Sequence, residues 1–280
     1  MGSFKQAFQI CRIYFFQEWK RYKNYCLLSI LAVFIGMYMG GIINYVKETG
    51  VRLSPWIFPF IMAKRELRTI IYACYGFFIS SAISDNGIFN QIIIRSTYKT
   101  YHMGKLLCIA FLSLFYTIYS ALVGILLHFP YIQLQKGWGK VLYTTADKSH
   151  SGLILNTLTG NIKILQDLTP LSGMLLETLL LFLTSFLLGI IIYFFSEIIH
   201  MKRVGIFICS FLIMLDFASE GILYVKGLLI LSPLTWSNLS LIKIKKYFQG
   251  PSIQLCISIL LTVIISICLF TILGKTKGKQ

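Results

Sequence analysis

The chain has 280 residues, 56% of them hydrophobic and only 13% charged, with a mean hydropathy of +0.74 and a net charge of +16. A soluble domain of this length needs more charge than that to cover its surface, so a bilayer-spanning protein is the expected class. The basic residues lie between apolar runs and at the two ends, which argues for lipid headgroups and against nucleic acid as the partner.

The seven cysteines contain no CxxC pair and are odd in number. A disulfide framework or a zinc site is not expected from them; they read as small buried hydrophobes. Residues 1–24 carry no cleavable leader pattern. Phe4, Phe8, Ile10, Cys11, Tyr14, Phe15 and Trp19 alternate instead with Lys5, Arg12, Glu18, Lys20 and Arg21. That spacing predicts a helix with one apolar and one charged face, lying in the membrane interface.

Six runs then have the length and apolarity of a spanning helix of about 20 residues. They fall at about 25–45, 68–84, 106–128, 174–195, 204–223 and 253–273. None alternates like a strand, so the expected fold is an all-α, six-helix transmembrane bundle. The second run is short, and the count of six depends on it. Arg12, Lys20, Arg21 and Lys23 precede the first run, against Lys47 and Arg52 after it. By this local bias both termini face the cytoplasm of a cell membrane protein, although the basic residues divide equally, 13 and 13, between the two sides overall.

All six prolines fall in or beside the segments on the outer side. The 129–173 loop is long enough to carry a small folded element. Segment 224–252 is too apolar for a free loop and too broken for a span, which predicts a short re-entrant or interfacial helix pair. Only His200 to Arg203 separate the fourth and fifth runs, so those two helices form a tight hairpin.

Catalytic motifs are missing. No HExxH or GxSxG occurs, and His102, His128, His150 and His200 are scattered. Gly274-Lys275-Thr276 echoes the end of a Walker A loop, but Leu269 stands where its first glycine belongs. It reads as a basic anchor, and neither a metal site nor ATP binding is expected in this chain.

The most informative stretch follows the second run. Asp85-Asn86-Gly87 opens it; Ile88, Phe89, Asn90 and further residues to Arg95 form a short amphipathic segment. A small-polar and basic stretch with Lys99 follows, and Gly104-Lys105 stands directly before the third run. This arrangement resembles the permease subunits of ABC-2 type transporters. So do the length, the amphipathic N-terminal helix, the six runs and an outer helical element between the fifth and sixth. The sequence departs from that family in lacking a proline in the small-polar stretch and in a shift of Lys99 by about one position.

The resemblance implies that residues 84–105 are a cytoplasmic coupling helix seated on a separate ATPase subunit. The second cytoplasmic link, with His200, Lys202 and Arg203, goes with it. It also implies a second permease copy or homologue as partner, ATP and magnesium bound by the ATPase alone, and export of an amphipathic cargo such as a peptide, drug or lipid. Asp216 and Glu220, spaced i and i+4 beside Ser219, share one face of the fifth run. They are candidates for the cargo path, together with Tyr72 and Tyr75. The other reading of this pair is that the fifth run ends near Phe217 and Glu220 meets Lys226 at the interface. Glu177 and Glu197 read as interface residues at the ends of the fourth run. A membrane-embedded protease or lipid transferase, and a non-transporting accessory subunit, are the other function classes the composition allows.

Overall fold

The structure is a computed structural model and describes residues 2–83, 96–146, 161–199, 201–221, 232–242 and 251–273. Among the described residues the chain is helical, with one isolated bridge between Leu53 and Ile132. Helix α1 spans Gly2–Trp19 and α2 spans Tyr22–Thr49. Gly50 closes α2 in the left-handed conformation, φ 68°, and returns its N–H to the Val46 carbonyl, as a residue without Cβ does readily. A six-residue helix α3, Phe58–Ala63, leads into α4, Arg65–Ile83. Helix α5 spans Tyr98–Leu127. The short helices α6, Lys140–Ala146, and α7, Ile162–Asp167, follow. Helix α8, Pro170–Tyr193, runs into a wide π turn at Phe194–Ile198. Helix α9 spans Lys202–Gly221 and α10 spans Ile253–Leu273.

Four helices are long and apolar enough to cross a membrane: α2, α5, α8 with its π turn, and α10. They are therefore the membrane-embedded part of the fold that composition alone secures. Helices α4 and α9 do not reach that standard because each carries charge, but both pack among the other four. Helix α4 touches α2, α5, α8 and α9, and α9 touches α4 and α8. The outward apolar side chains, Val33, Met37, Leu126, Phe211 and Phe270 among them, are exposed as a lipid-facing surface requires.

Lipid supplies no hydrophobic drive between helices, so the bundle is held by close approach and internal hydrogen bonds. A Cβ on Gly189 of α8 would meet Ile109 Cγ2 and the Tyr75 hydroxyl, both at 2.7 Å. That absence of a side chain is what lets α8 seat between α4 and α5. Tyr75 donates to Ser113 Oγ, which donates to the Ile109 carbonyl, and Tyr116 donates to the Ile71 carbonyl. Every hydroxyl in this seam is satisfied without water.

One end of the bundle carries a folded cap. Trp138 is buried there, donates from Nε1 to the Leu168 carbonyl and stacks edge-on against Phe60. Ser54 Oγ donates to the Trp138 carbonyl and Trp56 Nε1 to the Gln135 carbonyl, which ties residues 51–63 to 131–138. The folded element expected in 129–173 is therefore present, while α3 was not anticipated. The α10 limits coincide with the predicted run. Helix α5 begins eight residues before its predicted run, at Tyr98, where Thr97 Oγ1 accepts from the Thr100 N–H as an N-cap. Of segment 224–252 the described part is 232–242, a 3-10 turn at Thr235–Ser237 packed against α8; the rest of that expected element lies outside the described residues.

Candidate functional site

Two buried polar centres stand out, one near the cap and one at the opposite end beside α1. The first joins the two charged helices. Arg68, in the first turn of α4, donates from Nε to Asp216 Oδ2 at 3.0 Å and from Nη2 to Oδ1 at 3.3 Å. Its Nη1 donates to the Met62 carbonyl of α3 at 3.2 Å. Arg68 is 0% and Asp216 1% exposed. The planar guanidinium matches the carboxylate edge to edge, which a lysine cannot do. Desolvation nearly cancels the attraction in such a pair, so its chief effect is to set α4 and α9 in one register.

Around this pair the polar groups continue. Tyr72, one turn along α4, donates to Thr184 Oγ1 of α8 at 2.7 Å, and Thr184 donates in turn to its own Leu180 carbonyl. Glu177, two turns earlier on α8, is 0% exposed. Neither of its carboxyl oxygens has a hydrogen-bond partner, and Ser232 Oγ and Trp236 Nε1 are likewise buried without one. The charge that acts on Glu177 is Arg68, and the Leu239 backbone N–H faces it without reaching hydrogen-bond geometry.

The second centre is built on α1. Ala7, Ile10, Cys11, Tyr14 and Glu18 form its buried stripe, and α1 packs most extensively against α5. Contact is close because a Cβ on Gly104 would lie 2.8 Å from Ile10 and 2.9 Å from the Ala7 carbonyl oxygen. Lys105 is buried with its Nζ 3.5 Å from the centre of the Tyr14 ring, a cation–π geometry. Tyr14 meets Tyr101 edge-on, and His102 Nδ1 shares a hydrogen bond with the Tyr193 hydroxyl of α8. Glu197, in the π turn, acts electrostatically on Tyr98 and Tyr101.

Helix α1 also holds the far end of α4. Glu18 pairs with Arg21 at 3.0 Å and accepts from Asn24 Nδ2 at 3.2 Å and from Ser81 Oγ at 3.1 Å. Arg21 in turn donates to the Ser81 carbonyl. Segment 84–95 leaves the bundle two residues after Ile83 and returns at Ser96. Its two flanks, α4 near Ser81 and α5 near Gly104, are thus both bound by one helix.

The opposite flank of α1 carries exposed Phe4 and Phe8 and the half-buried Phe15 and Trp19. Phe8 meets Phe111 and Trp19 meets Phe115, so this aromatic flank continues the outer surface of α5. Lys5, Arg12 and Lys20 lie on the adjoining polar arc, with Arg12 over the Phe16 ring. An aromatic flank beside a basic arc is the arrangement of a helix at the lipid headgroups. A further apolar groove of about 190 Å³ lies between α4, α8 and α9, lined by Gly76, Phe77, Ile192, Cys209, Ser210 and Met214.

The predicted site residues distribute as follows. Asp85, Asn86, Gly87, Ile88, Phe89, Asn90, Arg95 and His200 lie outside the described residues. Lys202, Ser219 and Glu220 are described by backbone alone, all on α9. Lys99 and Arg203 are exposed, whereas Gly104 and Lys105 are buried inside α5 rather than presented at a surface. Tyr72, Tyr75 and Asp216 are buried and hydrogen-bonded within the bundle. Glu177 and Glu197, expected at the interface, are both buried, because the 232–242 segment and α4 cover the first and the start of α5 lies against the second. Sequence reasoning missed Arg68, Tyr14, His102 and Tyr193. For Arg68 a signal existed: a lone arginine in a run that must pack among apolar helices demands an acidic partner. Among the described residues no group of His, Cys, Asp or Glu gathers into a metal-holding set.

No family model, no curated protein and no solved structure matches this chain.

Proposed function

We propose that this chain is the membrane-spanning permease subunit of an ATP-binding cassette transporter of the ABC-2 type. In this reading α4 and α9 cross the membrane with α2, α5, α8 and α10, making six spans, and both termini lie in the cytoplasm of a cell membrane protein. The chain pairs with a second permease copy or homologue. A separate ATPase subunit binds ATP and magnesium and docks on segment 84–95 and on the link that includes Lys202 and Arg203.

The observation that carries the reading is the frame around segment 84–95. An ATPase that closes on ATP does work on a permease only through a rigid element. The Glu18–Arg21–Ser81 network and the Gly104–Ile10 contact bind both flanks of that segment to α1. The flanks therefore move with one body. The aromatic flank of α1 supports its place at the headgroups, and the apolar groove between α4, α8 and α9 suits an amphipathic cargo such as a peptide, drug or lipid.

The test is assembly and coupling. The full chain is expected to co-purify from membranes with an ATPase that has a Walker A loop. Phe89→Asp is expected to leave that assembly intact while ATP hydrolysis loses its link to transport. Stable isolation with no ATPase, or normal transport by the assembled Phe89→Asp complex, contradicts the reading.

A further inference from the structure

We propose that Glu177 is an intramembrane proton-binding site, in which two carboxyls, Glu177 and Asp216, share one guanidinium and one proton. Whichever carboxyl lacks Arg68 holds the proton. The inference does not depend on what the protein transports, or whether it transports at all.

The geometry defines the arrangement. Arg68 gives its Nε and Nη2 edge to Asp216 and its Nη1 to the Met62 carbonyl. Glu177 faces the same guanidinium, is fully enclosed, and has no hydrogen bond to either oxygen. An ionised carboxylate accepts two to four hydrogen bonds wherever it is buried, and one with none is strongly disfavoured in a low dielectric. With Arg68 positive, Asp216 negative and Glu177 carrying a proton, the enclosed cluster is neutral.

The surrounding elements add no further charge among the described residues. From α4 the groups that face the site are Arg68 and Tyr72, and from α9 Asp216 through Arg68. Helix α3 and residues 232–242 contribute no charged side chain, nor does α10. The charged and imidazole groups at the start of α5, Lys105 and His102, sit with α1 at the opposite end.

A defined exchange follows. When Arg68 turns from Asp216 to Glu177, the Glu177 O–H bond breaks and its proton passes through water to an Asp216 oxygen, where a new O–H bond forms. The total charge is unchanged, so the exchange needs no other co-reactant. It also releases α9 from α4 and ties α4 to α8, so the proton's position reports which helix α4 is held to.

Infrared absorption of the full chain in lipid at neutral pH, with glutamate carboxyls carbon-13 labelled, tests this directly. The expected result is a protonated-carboxyl C=O band that shifts with the label, is lost in Glu177→Gln and is kept in Glu197→Gln. Should the amide variant not fold, Glu177→Met, neutral and of similar volume, takes its place. In Asp216→Asn the band is expected to vanish although Glu177 remains, because Arg68 then pairs with it. No label-shifted band in the unaltered protein, or a band insensitive to residue 177, overturns the site. A band that persists in Asp216→Asn overturns the sharing.

Discussion

Helices α2, α5, α8 and α10 differ from α4 and α9 in what makes them fit a membrane. The four are apolar along about 18 residues or more and need nothing but lipid and packing. The two are shorter, about 28 to 30 Å at 1.5 Å per residue, and carry Arg68 and Asp216. Alone, each would bring an unpaired charge into hydrocarbon. Packed together, each supplies the other's counter-ion. The comparison teaches that the two weakest apolar helices are the ones whose placement depends on a specific partner rather than on composition.

The largest effect should come from breaking that pairing. Arg68→Met leaves Asp216 enclosed beside an apolar chain and is expected to lower stability by about 3 to 5 kcal/mol. Unfolding in detergent or lipid measures it. The same substitution into an apolar helix position such as Leu31→Met is expected to cost less than about 1.5 kcal/mol, as volume-conserving swaps do. A smaller loss is expected at the α1 contact. Gly104→Val places carbon where Ile10 and the Ala7 carbonyl already lie, at about 1 to 3 kcal/mol. Protease cleavage between α1 and α2 should rise with it, because α1 loosens. Smallest is Tyr72→Phe, which removes one hydroxyl donated to Thr184 and is expected to cost about 1 kcal/mol.

These positions also mark how far sequence reasoning reaches. Ile253–Leu273 was legible to the residue, since an uninterrupted apolar run is set by its own composition. The amphipathic stripe of α1 was legible for the same reason: its period is local. Asp216 was legible as an intramembrane carboxylate, but its partner, 148 positions away, was not. Helix α5 was placed too late because Ser96 to Lys105 is polar, and only its burial under α1 and against Tyr193 keeps it helical. Lys105 illustrates the limit most plainly. In sequence it looks like the surface end of a coupling stretch; in the fold it lies on the Tyr14 ring. Glu177 was misplaced because an acidic residue seven positions into a helix reads as near its end, whereas the cover supplied by 232–242 has no sequence signature.

The central claim is that α4 and α9 belong to the bundle through one enclosed ion pair. The most direct measurement is a double-mutant cycle of Arg68→Met and Asp216→Met, each variant unfolded from the same lipid. The account predicts that both single variants are strongly destabilised and that the double variant recovers most of the loss, giving a coupling energy of about 2 kcal/mol or more. Additive losses, with the double variant as unstable as the sum of the singles, would contradict it.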